Sequence, residues 1–159
     1  MNSVVVYTSR SGNTEKIAYA IGAGLGTKGL VQVFAVDEAP TAFAEDVSLV
    51  VVGGPTEAHG GTRSITDYVD RVAKGFNGKA AAAFDTRLRW PRWLSGSAAS
   101  DIAHRLEACG GELVATPASF YVEGKQPALE AGELERAEAW AASVAARVQP
   151  LTADLAVKR

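Results

Sequence analysis

The chain has 159 residues, 47% of them hydrophobic and 21% charged, enough for one domain with a sizeable core. Its 16 basic and 18 acidic residues leave a net charge of −2, so no basic field marks a nucleic-acid binder. A single cysteine, Cys109, excludes an intrachain disulfide, and neither a basic leader nor a membrane-length apolar run is present, so a soluble cytoplasmic protein is expected.

In chain order, SVVVY (3–7) reads as a strand, and the stripe Ile17, Ala18, Ile21 and Leu25 as a helix closed by Gly24 and Gly26. VQVFAV (31–36) is a second strand, followed by DEAPTAFAED, which is too short for a helix. VSLVVVGG (47–54) is a third, then a helix with Ile65, Val69, Val72 and Ala73 on one face, ending at Gly75. KAAAAF (79–84) precedes a helix carrying Ile102, Ala103 and Leu106 before Gly110, with Ser95 or Ser97 as its cap. ELVATP (112–117) is the fifth strand, and Leu134, Ala137, Ala141, Val144 and Val148 form the last helical stripe, before Pro150. Most of the strands are nearly continuous in apolar residues, as strands covered on both faces are. The pattern predicts an α/β domain over 1–149, a doubly wound five-stranded parallel sheet with helices on both faces. Residues 150–159 read as a frayed tail.

In such sheets ligands bind beyond the carboxyl ends of the strands, where strand order reverses. The loop after the first strand, YTSRSGNTEKIA (7–18), holds more hydrogen-bonding groups than a helix start needs. Gly12 allows close backbone approach, the helix start offers free N–H groups, and Ser9, Ser11, Asn13 and Thr14 add side-chain donors. That is a phosphate cradle built from neutral donors. It is neither a Walker loop nor a dinucleotide fingerprint, because GAGLG (22–26) ends a helix rather than following a strand. The plainer alternative is simple N-capping by Ser11 or Asn13.

S-x-S-G-N-T after a first strand resembles the phosphate loop of the flavodoxins, the small FMN-binding electron carriers, here in a short-chain form. The likeness runs over roughly residues 3 to 148 in the order and spacing of elements. It implies FMN held without a covalent bond, its phosphate at Ser9, Arg10, Ser11, Gly12, Asn13 and Thr14, with Arg10 acting through its backbone. It further implies a flavin ring between the loops after the third and fourth strands. In GGPTEAHGG (53–61) the resemblance puts Pro55, Thr56, Glu57, Ala58, His59, Gly60 and Gly61 beside the ring, Thr56 at the hydroxyl position and His59 at that of a stacking aromatic. In the family the glycine carbonyl that Gly60 matches can turn toward flavin N5 on reduction. Glu57 is either a ring-imide acceptor or a surface charge. After the fourth strand, Asp85, Thr86 and Arg87 are the expected contacts, and Trp90 or Trp93 the stacking aromatic or a core anchor.

The sequence departs from the family in lacking its strong acidity and the usual tyrosine of the second ring loop, which instead carries Arg87, Arg89 and Arg92. Cations near the ring favour the anionic reduced flavin, so a higher second potential than is usual for the family is expected. The same arginines suit an acidic partner or an anionic substrate, or are the ordinary basic residues of a solvated loop. An electron carrier between a flavin or iron–sulfur reductase and a redox acceptor protein is the leading expectation, as a monomer or weak dimer without nucleic acid or membrane. The alternatives are an FMN-dependent oxidoreductase (a quinone reductase or porphyrinogen oxidase), whose ring the long loop after the fourth strand or 118–133 would roof, and a flavin-free binding domain.

Overall fold

The computed structural model describes residues 1–57 and 60–148. Strand β1 (Asn2–Tyr7) leads into helix α1 (Asn13–Gly26), then β2 (Val31–Ala35) and β3 (Val47–Glu57). A two-residue strand β4 (Gly60–Gly61) precedes α2 (Arg63–Arg71), and β5 (Ala80–Leu88) is followed by a single turn, α3 (Arg92–Ser95), and by α4 (Ala98–Ala108). The chain closes with β6 (Glu112–Leu113), β7 (Ala118–Glu123), β8 (Ala128–Leu129) and α5 (Glu133–Arg147). The connection 37–46 opens with a 3-10 turn, Val36–Glu38.

The sheet runs in the order β2-β1-β3-β5-β7-β8, with β4 against β3 and β6 against β5. β2, β1, β3, β5, β6 and β7 are parallel, while the short β4 and β8 pair antiparallel to β3 and β7. Strand order reverses at β1, with β2 on one side and β3 on the other, which opens the crevice between the β1 and β3 loops.

Two cores explain the continuous apolar runs. Val4, Val6, Val50, Val52, Ala81 and Ala83 face α2 and α4, meeting Ile65, Val69, Ile102 and Leu106. Their neighbours Val5, Leu49, Val51, Ala82 and Phe84 face α1 and α5, meeting Ile17, Ile21, Ala141 and Val144. Strand side chains alternate between faces, so a strand covered on both sides is apolar at every position. On the first face the buried Tyr68 hydroxyl donates to the Pro40 carbonyl at 2.7 Å, tying α2 to the β2–β3 connection. Burial pushes that phenol up to about 12.

Several sequence expectations are corrected. β3 and β5 run past the boundaries at 54 and 84, because they pair with one another as far as Pro55 opposite Thr86. β5 continues to Leu88 because β7 pairs with it from Phe84 onward. The fifth strand expected over 112–117 is broken. β6 pairs with Ala80 and Ala81, and Pro117, which has no N–H to give a ladder, stands before the chain resumes as β7. Within 118–133, residues 118–123 and 128–129 extend the sheet as β7 and β8, joined by the turn 124–127.

Gly24 does not stop α1. It lies within the helix where α5 crosses, and a Cβ there would sit 2.3 Å from the Glu138 carbonyl oxygen and 2.8 Å from Ala141 Cβ. Leu134 is 42% exposed rather than part of the α5 stripe, because Glu133 takes the buried first-turn position ahead of Ala137 and Ala141. Cys109 is half-buried against the α2–α4 core, and burial pushes its thiol up. The tail from Pro150 onward lies outside the described residues.

Candidate cofactor site

The first loop departs from ordinary capping. The N-cap of α1 is Gly12, in the left-handed region at φ 90°, and no side chain caps the helix. The capping alternative for Ser11 and Asn13 is thus not met. Instead the Gly12 N–H donates to Ser9 Oγ at 3.1 Å, and the Asn13 amide donates to Ser11 Oγ at 3.2 Å and to the Pro127 carbonyl at 2.8 Å. The Asn13 side chain is therefore spent on shaping the loop and tethering it to the β7–β8 connection. Thr14, 2% exposed, shares a 2.7 Å hydrogen bond with Thr86 Oγ1. Two hydroxyls in one mutual bond use one hydrogen, so the pair keeps another to donate.

What this leaves for a ligand is the uncapped start of a 14-residue helix and the hydroxyls of Ser9 and Ser11, half-buried and exposed respectively. Helix-end N–H groups and neutral hydroxyls suit a phosphate dianion, so the donor set fits the FMN phosphate. Tyr7, at the strand end just before the loop, has its phenol pushed up to about 12 by burial, with the Glu15 carboxylate adding to the effect. It stays neutral at the entrance to the donor-rich loop.

The end of β3 leans toward this loop. Arg10 Nε lies 3.0 Å from Glu57 Oε1, an ion pair that bridges the loop after β1 and the β3 end, with the arginine largely exposed. Glu57 and Thr56 pair with Gly60 and Gly61 across the short antiparallel ladder. Ala58 and His59, and with them the expected stacking position, lie outside the described residues.

Glu57 also borders a cavity of about 380 Å³ between the ends of β3 and β5. Leu88, Trp90 and Leu94 give it an apolar wall, and Arg87 contributes a cation. A wall of that kind suits a planar, partly polar ring. A neighbouring cavity of about 360 Å³ opens between Ser9, Arg10 and the start of α2.

Asp85, Thr86 and Arg87 are strand residues, and their side chains turn inward. Asp85 is fully buried: its Oδ2 accepts from Thr56 Oγ1 at 2.9 Å, Ser97 Oγ at 2.9 Å and the Ala99 N–H at 3.0 Å. Its Oδ1 has no hydrogen-bond partner among the described residues. Thr56 Oγ1 in turn accepts from the Ala98 N–H at 2.9 Å. The Thr56 hydroxyl is thereby engaged as donor and acceptor, and it locks β3 to α4. Ser97 caps α4, accepting from Ser100 N–H at 3.3 Å, which selects it over Ser95.

Arg87 is 5% exposed and donates to the carbonyls of Leu88, Trp90 and Gly96, which shapes the turn after β5. It reaches the cavity wall, yet as a buried group it is not available to a docking protein. Arg89 is held by Glu130, Nε to Oε2 at 2.8 Å, and lies 4.0 Å over the Tyr121 ring. The hydrogen bond to Glu130 pushes its guanidinium up. Trp90 and Trp93 are 58% and 82% exposed, so neither anchors the core, and of the two only Trp90 lines the cavity.

Sequence reasoning missed Pro127 and Glu130, both brought in by the β7–β8 hairpin. Among the described residues no group of three His, Cys, Asp or Glu side chains suits a metal ion. No helix among them is long and apolar enough to cross a membrane.

A parallel sheet in this order, with a donor-rich loop after its first strand, defines a flavodoxin-like α/β protein. The sequence profile described as Flavodoxin matches residues 5–140, and the chain belongs to the flavodoxin family. A flavodoxin from the domain Archaea superposes with a TM-score of 0.74 at 23% identity, covering 93% of this chain and 99% of that one. A WrbA-like flavodoxin protein from Agrobacterium tumefaciens gives 0.68 at 21% identity, over 91% and 95% of the two chains. The rubredoxin:oxygen oxidoreductase of Desulfovibrio gigas gives 0.74 at 19% identity, over 92% of this chain but 36% of that one. No curated protein sequence matches the chain. Family and fold imply an FMN-binding redox protein.

Proposed function

We propose that the protein binds FMN and carries electrons singly between a reductase and an acceptor protein. The observation that carries the reading is the uncapped α1 start with its Ser9 and Ser11 hydroxyls, set beside the apolar-walled cavity between β3 and β5. Bound there, FMN supplies reversible one- and two-electron chemistry. The chain's own part is placement. Gly12 lets the loop wrap the phosphate, the Asp85–Thr56–Ala98 links fix the spacing of the two cavity walls, and Arg87 holds the β5 turn in shape while putting a cation on the wall.

A carrier needs the ring edge accessible, which agrees with 118–123 and 128–129, part of one of the two segments that could roof it, pairing into the sheet as β7 and β8. A second reading, an FMN-dependent oxidoreductase for an anionic substrate, draws on Arg87 at the cavity wall. Visible spectroscopy during stepwise dithionite reduction separates the two. Flavin bands with accumulation of a one-electron-reduced form support the carrier. Direct passage to the two-electron form favours the oxidoreductase, and a colourless protein that takes up no FMN contradicts both.

A further inference from the structure

The turn after β5 exposes an apolar surface that begins at the cavity wall with Trp90 and Leu94 and continues beyond it at Trp93. Trp93 is 82% exposed and Leu94 49%, beside Trp90 at 58%, and Trp93 is not part of the cavity wall. Tryptophan placed outward on a short turn, next to an arginine, has the composition of an interface centre rather than of an ordinary surface.

The charges on the turn itself have one sign. Residues 86–100 include three arginines and no carboxylate. Arg87 is spent internally, and Arg89 is matched by Glu130. Across the cleft, Glu57 is matched by Arg10. Arg92, at the start of α3, and Arg63, at the start of α2, remain exposed with no ion pair among the described residues. The face therefore carries a cationic surplus, although the chain as a whole is at −2.

We infer that Trp90, Arg92, Trp93 and Leu94 form a docking surface for an acidic one-electron acceptor protein, one that presents carboxylates around its own exposed redox centre. The inference rests on the proposed FMN function for the electron it passes, but the docking itself does not need flavin. Apolar contact at Trp93 and Leu94 holds the complex, and Arg92 steers approach. In each transfer the reduced flavin loses one electron and one ferric haem of the probe becomes ferrous.

The test uses two haem proteins of opposite charge, the acidic cytochrome b5 and the basic cytochrome c, mixed in their ferric forms with the reduced FMN-loaded chain. Salt is varied from about 10 to about 500 mM, which takes charge screening from weak to nearly complete. The surface predicts a rate constant that falls with salt for cytochrome b5 and rises with salt for cytochrome c. Arg92→Glu lowers the low-salt rate with cytochrome b5 by about three- to tenfold. Trp93→Ala raises the half-saturating cytochrome b5 concentration by about tenfold while keeping the sign of the salt dependence.

Calorimetric titration of cytochrome b5 into the flavin-free chain reads docking alone, so failure to bind FMN, seen as missing visible bands, overturns the function and not the surface. Opposite salt dependences, or wild-type behaviour of both variants, overturn the inference. So does binding to phosphatidylglycerol vesicles that is lost in these variants while cytochrome b5 binding is unaffected, because the surface then serves a lipid.

Discussion

At the scale of single residues, Asp85 joins parts of the chain that the sequence keeps apart. Its Oδ2 takes hydrogens from Thr56 and Ser97 hydroxyls and from the Ala99 N–H, so one buried carboxylate fixes β3, β5 and the α4 start together. Replacing it with alanine leaves those donors without an acceptor in a site that water does not reach. Asp85→Ala is expected to cost about 2–3 kcal/mol in urea unfolding, with Thr56→Val costing less and the double variant less than the sum. An unchanged midpoint for Asp85→Ala would show that the network contributes nothing. The donor-rich loop is legible in the sequence because Ser9 to Thr14 are contiguous and their residue types carry the hydrogen-bonding groups. Their partners are not, since Asn13 meets Pro127 across 114 positions and Thr14 meets Thr86 across 72. The inward turn of Asp85 and Arg87 was hidden for another reason: where a strand ends depends on what pairs with it.

At the scale of elements, the sequence places the four long helices, but α2 stops at Arg71 and gives way to a 3-10 turn over Ala73–Phe76 instead of reaching Gly75, the α3 turn has no sequence signal, and Gly24 misleads. Gly24 looks like a helix stop, yet its missing side chain is what allows α1 and α5 to touch. The obstacle to a methyl group there is backbone, which cannot swing away, so Gly24→Ala is expected to lower stability by about 1–3 kcal/mol despite alanine's better helix propensity. Thermal melts decide it, and a raised melting temperature would contradict the close contact. The start of α5 supplies a pH-dependent contribution. Glu133 is 5% exposed and accepts from the Tyr121 N–H at 2.7 Å and from the Arg136 guanidinium at 2.6 Å. Burial alone raises its carboxyl, but the bonds from Arg136 and Tyr121 outweigh it and hold the group below the ordinary carboxylate value. Its support for the fold is therefore full above the unfolded value of about 4.3 and is lost as pH falls through the lower folded value. Urea midpoints followed downward from about pH 6 should fall more steeply in the wild type than in Glu133→Gln. Parallel curves would remove Glu133 from the acid limb.

At the scale of the molecule, two cores on one sheet account for the architecture, and the unbroken apolar runs made that legible. The exception is the far edge. There Pro117 interrupts the fifth strand, and the β7–β8 hairpin, for which no strand is expected from the sequence, brings Pro127 to the loop after β1 and Glu130 to Arg89. That edge thus completes the site from one side, while the Asp85 links brace it from another. The central claim is that the loop at the end of β1 is a phosphate cradle whose neighbouring cavity takes the flavin ring. Titrating the flavin-free chain with FMN and with riboflavin, which lacks only the phosphate, tests it most directly. The cradle predicts FMN binding at least about 100-fold tighter, the size expected from two charge-assisted hydrogen bonds, with Ser11→Ala narrowing the gap. Equal affinity for the two flavins would contradict the account.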